Sequence, residues 1–71
     1  MKYIIIEVNN LLIKADAEKL KEDVFTIETP DYMIELTNDN GELHVSNAID
    51  GYGYNKRSDF MSKEVTLYYQ D

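Results

Sequence analysis

Apolar and polar residues alternate with a period of two along much of this chain, the pattern of half-buried strands. Lys2 to Val8 is rich in β-branched residues, with Tyr3 adding β propensity, and reads as a first strand. Asn9 and Asn10 break that run and tolerate the left-handed region, so they suit a tight turn into a second strand, Leu11 to Ala15. A helix beginning after Asn10 competes with that reading. It would place Ile13, Ala17, Leu20 and Val24 on one face, and Glu18 to Glu22 are good helix formers. The expectation is a short helix around Asp16 to Glu22, with Leu11 to Ile13 left open.

The middle of the chain is a meander. Val24 to Thr29 alternates with Phe25 and Ile27 on one face; Pro30 and Asp31 suit a turn; Tyr32 to Thr37 alternates with Tyr32, Ile34 and Leu36 inward. A two-residue turn at Pro30 and Asp31 aligns Ile27 with Ile34 and Phe25 with Leu36. Asn38-Asp39-Asn40-Gly41 is a hairpin loop, followed by a strand from Glu42 to Asn47 with Leu43 and Val45 inward. Closing that loop over four residues sets Leu36 opposite Leu43 and Ile34 opposite Val45. A two-residue Asn40-Gly41 turn would set Asp39 opposite Glu42, and directly opposed like charges are unfavourable, so the four-residue loop is expected. Ala48 to Ser62 reads as a loop in which Ser58-Asp59 caps one helical turn before Lys63, and Glu64 to Tyr69 is a last strand. The fold class expected is α+β and β-dominated, a curled antiparallel sheet of about five strands with one short helix, in a single domain covering residues 1–71.

Composition narrows the chemistry. Among 71 residues there is no Cys, which removes disulfides, zinc fingers and thiol catalysis. No apolar run approaches the ~18 residues of a membrane span, and no membrane association is expected. A chain this short has a marginal core, so a homodimer is expected as a stabiliser. Asn38 to Glu42 has a calcium-loop flavour, but aligning Gly41 with the loop glycine puts Leu36 and Asn47 at the end positions, where neither supplies a carboxylate. His44 is a lone histidine, Gly51-Tyr52-Gly53 matches no nucleotide motif, and a chain this short leaves little room for a substrate cleft. No enzyme, cofactor or metal is expected.

Charge is the uneven feature. The net charge is −7, from 14 acidic and 7 basic residues. From Glu22 to Asn55 there is no Lys or Arg, and Glu22, Asp23, Glu28, Asp31, Glu35, Asp39, Glu42 and Asp50 give that stretch a net of −8, against +1 for the rest. The expected pairing puts Thr26, Glu28, Met33, Glu35, Thr37, Glu42, His44 and Ser46 outward, with Glu35 opposite His44 and Glu42 opposite Thr37. Glu28, Glu35 and Glu42 then form a diagonal row at steps of about 7–8 Å, as one strand of a nucleic-acid backbone presents phosphates. A solvated, solubilising face reads the same way in sequence. Tyr52, Tyr54, Lys56 and Arg57 combine aromatics with positive charge, but two cations cannot offset −7, so direct nucleic-acid binding is not expected. A protein interface through Tyr52, Tyr54 and Tyr68 suits such a Tyr-rich chain better, with Tyr3, Tyr32 and one of Tyr68 and Tyr69 in the core.

In size, acidity and lack of Cys the chain resembles small phage-encoded proteins that mimic DNA and shut down host nucleic-acid-binding proteins. The resemblance implies a non-enzymatic inhibitor in the cytoplasm of a bacterial host cell. Its partner would be a basic DNA-binding protein: a histone-like nucleoid protein, RNA polymerase, a nuclease or a repair enzyme. The eight acidic residues of the cation-free stretch would stand in for phosphates. The competing expectation is an adaptor or assembly module that binds through a sheet edge or the Tyr52 to Tyr54 loop. A small hydrolase using the carboxylates is a distant third.

Overall fold

The computed structural model describes residues 2–60 and 64–70, with the side chain of Gln70 left aside. Six strands form in chain order: β1 Tyr3–Val8, β2 Leu11–Asp16, β3 Val24–Glu28, β4 Tyr32–Asp39, β5 Glu42–Asp50 and β6 Val65–Gln70. A 3-10 helix, Ala17–Lys21, links β2 to β3, and a single α-helical turn, α1 Arg57–Phe60, lies between β5 and β6. The strands divide into two antiparallel sheets, β2-β1-β6 and β3-β4-β5, instead of one curled sheet of about five.

Local chemistry explains the first sheet. Asn9 and Asn10 adopt φ of 48° and 67°. Positive φ at both central residues is what a two-residue hairpin turn with the strands' own twist requires, and Asn tolerates it. Val8 pairs with Leu11 across the turn, so residues 11–16 are strand, and helix begins only at Ala17. Asp16 caps it, its Oδ1 accepting from the Glu18 N–H at 2.9 Å. The seven residues between β2 and β3 accommodate one tight turn, which the 3-10 form supplies.

The β3–β4 hairpin has the expected register, Phe25 opposite Leu36 and Ile27 opposite Ile34. The β4–β5 hairpin does not. It closes on a two-residue Asn40-Gly41 turn, with φ of 53° and 92°, and sets Asp39 opposite Glu42. Asn-Gly meets the requirement for positive φ at both positions. The like-charge pair sits at an exposed tip, where solvent reduces its cost to a few tenths of a kcal/mol. Asn38 fastens the arrangement: its Oδ1 accepts from the Gly41 N–H at 2.8 Å, and its Nδ2 donates to the Leu20 carbonyl at 2.9 Å.

A bulge follows. Leu36 faces Val45 but Glu35 faces Asn47, leaving Ser46 as the extra residue on β5. The bulge reverses the inward alternation, so Ala48 is buried opposite Ile34. β5 therefore runs on to Asp50, three residues past the expected end, and Asn55 bridges back to Ile49. Within the stretch read as loop, α1 is capped from Asn55, whose Oδ1 accepts from the Arg57 N–H at 2.8 Å, and not from Ser58-Asp59. Lys63 lies outside the described residues.

The core lies between the sheets. Ile4, Ile6 and Val8 of the central strand β1 are fully buried, as are Ile34 and Leu36 of the central strand β4. Ile13, Phe25, Ile27, Leu43 and Ala48 surround them. Phe60, delivered by α1, meets the Tyr32 ring edge-on at 5.2 Å and 84°. Tyr32 packs against the core as expected, whereas Tyr3 lies half-buried outside it beneath Lys14, and Tyr68 and Tyr69 are both exposed, because β6 lies at a sheet edge with Tyr69 at the sheet's end.

Phe60→Ala is expected to cost about 3–5 kcal/mol, a large share of a small domain's stability, and a urea denaturation curve reads it directly. Asn38→Ala removes both side-chain hydrogen bonds at the hairpin and should cost about 1–3 kcal/mol in the same assay.

Candidate functional site

The outward face of β3-β4-β5 is built by alternation. With Phe25, Ile27, Ile34, Leu36 and Leu43 buried, Thr26, Glu28, Met33, Glu35, Glu42 and His44 are turned away from the core. Glu28 pairs with Met33 and Glu35 with Thr26, so Glu28 and Glu35 are diagonal neighbours, about 7–8 Å apart. The third member of the expected row is displaced. Thr37, and not Glu35, faces His44, and Glu42 faces Asp39. Glu42 is thereby moved four residues along β4 from Glu35, about 13 Å at strand rise. The two-residue turn and the bulge cause this shift, and the evenly stepped row of three does not form.

The carboxylates fall instead into two end groups with Glu35 between them. At the hairpin tip, Asp39 and Glu42 stand opposite each other. Glu22 and Asp23 precede β3 beside them, the Asp23 carbonyl accepting from the Asn38 N–H at 2.7 Å. At the other end are Glu28, Asp31 in the β3–β4 turn, and Asp50. All but Glu35 and Asp50 are exposed.

Those two exceptions have internal partners. Ser46 Oγ lies 2.9 Å from Glu35 Oε1, so the bulge residue holds the central carboxylate in place. Nothing in the period-two pattern marks Ser46 for this role, since the bulge that brings it there is invisible in the alternation. Asp50 organises the following loop. Its Oδ1 accepts from the N–H groups of Tyr52 and Tyr54 at 2.9 and 3.0 Å, and its Oδ2 lies 3.9 Å from Lys56 Nζ. Asp50 therefore adds field but is not free to reach a partner. His44 Nε2 is 3.9 Å from Glu42 Oε1 and has no other acidic neighbour among the described residues.

The tyrosines do not form one surface. Tyr52 and Tyr54 project from the loop, 90% and 69% exposed, whereas Tyr68 lies on the outward side of the other sheet. There its phenol donates to Glu7 Oε1 at 3.0 Å. A shallow, solvent-open depression of about 440 Å³ lies between the Pro30–Asp31 turn and the Gly51–Gly53 loop. It is lined by Glu28, Asp31, Met33, Ile49 and Asp50 among others, and the one aliphatic hydroxyl among its lining residues, Thr29 Oγ1, is bonded to Tyr32 backbone. Among the described residues no group of three or more His, Cys, Asp and Glu side chains is arranged to hold a metal ion. No helix among them is long and apolar enough to cross a membrane.

Comparisons with protein-family models, curated proteins and solved structures find no match. The functional reading rests on the chain's own residues.

Tyr68 gives a titration probe of the β2-β1-β6 sheet. Its hydrogen bond to the Glu7 carboxylate, and then that carboxylate's charge, hold the phenol above its usual 10.0, with burial and the charge of Glu64 adding to the rise. The folded state therefore keeps this proton more tightly than the unfolded chain. The resulting stabilisation is complete below the unfolded value and fades as pH rises through the folded one. Glu7→Gln should lower the Tyr68 pKa, read as phenolate absorbance in difference against Tyr68→Phe.

Proposed function

We propose that this protein is a non-enzymatic binder whose β3-β4-β5 face engages the basic, nucleic-acid-binding surface of another protein. The observation that carries the reading is the absence of any Lys or Arg from residue 22 to residue 55, a stretch that forms a whole three-stranded sheet and its turns. Surfaces ordinarily mix both signs to limit self-repulsion. Here one sheet holds a negative field without internal compensation, apart from Lys56 beside Asp50.

Length and charge density support the comparison with a nucleic-acid strand. β4 has 8 residues and so spans about 26 Å. A single backbone at ~3.4 Å per phosphate places about eight phosphates along that length, and a duplex about twice as many. The sheet and its flanks carry Glu22, Asp23, Glu28, Asp31, Glu35, Asp39, Glu42 and Asp50. The mean density is that of one strand, distributed in two end groups joined by Glu35. Such a field accelerates encounter with a basic groove and makes binding salt-sensitive.

Tyr52 and Tyr54, exposed on a loop held by Asp50, favour a second reading as an adaptor that binds through that loop. Ionic strength separates the two, since an apolar tyrosine contact responds little to salt.

The test is affinity capture from bacterial lysate with salt-gradient elution, then titration of the captured protein. A DNA-binding protein released by moderate salt and displaced by duplex DNA is expected. Glu28→Gln/Glu35→Gln/Glu42→Gln should weaken binding on the order of tenfold to a hundredfold while thermal unfolding stays cooperative. Unchanged affinity in that variant, or a partner indifferent to both salt and DNA, overturns the assignment.

A further inference from the structure

The two sheets have four edge strands, and three of them are blunted. β2 carries Lys14 and Asp16 on its edge. β3 is five residues long and ends on Glu28. β5 is bulged at Ser46, and its far half is covered where Ile49 bridges Asn55 and the Lys56 N–H donates to the Ala48 carbonyl at 2.7 Å. Among the described residues, β6 has none of these devices. Its residues, Val65-Thr66-Leu67-Tyr68-Tyr69-Gln70, include no charge, no Pro and no Gly, and it pairs with β1 in unbroken register. A six-residue segment of high β propensity and no charge on a free edge templates strand pairing. A groove of about 480 Å³, lined by Leu43, Val65 and Leu67 and also by Glu42 and Glu64, lies between β6 and the β5 tip.

We infer that a second copy of this chain covers β6, the two Val65–Gln70 strands pairing antiparallel about a two-fold axis. The two β2-β1-β6 sheets then join into one of six strands. Charge selects a second copy as the occupant. A chain of net −7 repels itself wherever its acids lie, and β3, β4 and β5 carry Glu28, Glu35, Asp39, Glu42 and Asp50 without a cation. The strands of the other sheet hold only Glu7, Lys14 and Asp16, and β6 holds none. β6 is the one edge strand that brings no charged side chain of its own to a contact between copies, with Glu42 and Glu64 flanking it.

Side chains agree with the symmetry. Centring the axis on Leu67 sets Val65 of one copy opposite Tyr69 of the other; centring it on Tyr68 sets Leu67 opposite Tyr69. Either register covers the Tyr69 ring, 72% exposed in the single chain, with an apolar neighbour. The contact leaves the acidic sheet outward, and it stands or falls independently of what that sheet binds. A strand edge of about 20 Å buries less than the ~800 Å² per partner of a standard interface, so dissociation constants in the micromolar range are expected.

Light scattering behind gel filtration, with hydrogen exchange, tests this. At a chain concentration of about 1 mM, well above a micromolar constant, the mass should be twice the 8.3 kDa of one chain. The β6 amides facing away from β1 should gain protection as concentration rises. Tyr69→Lys puts a charge on the edge at an exposed position and should weaken dimerisation about tenfold or more while unfolding stays cooperative. Thr66→Lys, opposite Glu7, is a second charged edge with the same expectation should the first variant fail to fold. A monomer at millimolar concentration, a dimer whose β6 amides exchange as in the monomer, or a dimer that keeps its affinity in both variants overturns the inference.

Discussion

Everything in this molecule depends on two central strands burying one face against each other. β1 supplies Ile4, Ile6 and Val8, and β4 supplies Ile34 and Leu36, all at zero exposure. No disulfide is available to a chain without Cys. Apolar burial between two three-stranded sheets is thus the main force opposing the chain's conformational entropy. Phe60 matters out of proportion to its four-residue helix, because it fills the end of that layer against Tyr32. The alternation that serves the core also fixes the outside: once Phe25, Ile27, Ile34 and Leu36 point inward, Glu28 and Glu35 must point outward.

Turn chemistry then sets which outward residues are neighbours. Both Asn-containing turns, Asn9-Asn10 and Asn40-Gly41, adopt positive φ at both central positions. At the second turn this backbone demand outweighs the repulsion between Asp39 and Glu42. Solvent at the exposed tip screens the charges, whereas the backbone conformation is a fixed requirement of a tight hairpin. The Ser46 bulge completes the adjustment by turning Ala48 inward, and the same residue becomes the hydrogen-bond partner of Glu35. Local devices that settle the packing thereby also arrange the charges.

The two sheets differ in electrostatic character as well as position. The β3-β4-β5 sheet presents carboxylates without intervening cations, while the β2-β1-β6 sheet places Lys14 Nζ 4.1 Å from the centre of the Tyr3 ring and Glu7 within hydrogen-bond reach of Tyr68. A segregated field suits a basic partner, and a nearly neutral sheet suits association of like chains.

The sequence by itself determined the strand-dominated antiparallel class, the inward set Phe25, Ile27, Ile34, Leu36 and Leu43, the register of the β3–β4 hairpin, and the cation-free acidic stretch. These follow from period-two alternation and from composition, which are local. Only the tertiary structure decided that residues 11–16 are strand, that the strands divide between two sheets, that Phe60 is core, that Asp50 is tied to its own loop, and that Glu42 stands apart from Glu35. Side-chain charge alone favours the four-residue loop, but the φ requirement of the tight turn outweighs a like-charge pair at an exposed tip, and a one-residue bulge then resets the register beyond it. A bulge leaves no mark on alternation until a partner strand shows which residue is unpaired. Which edge stays open is likewise a property of the assembled sheets and not of any one segment.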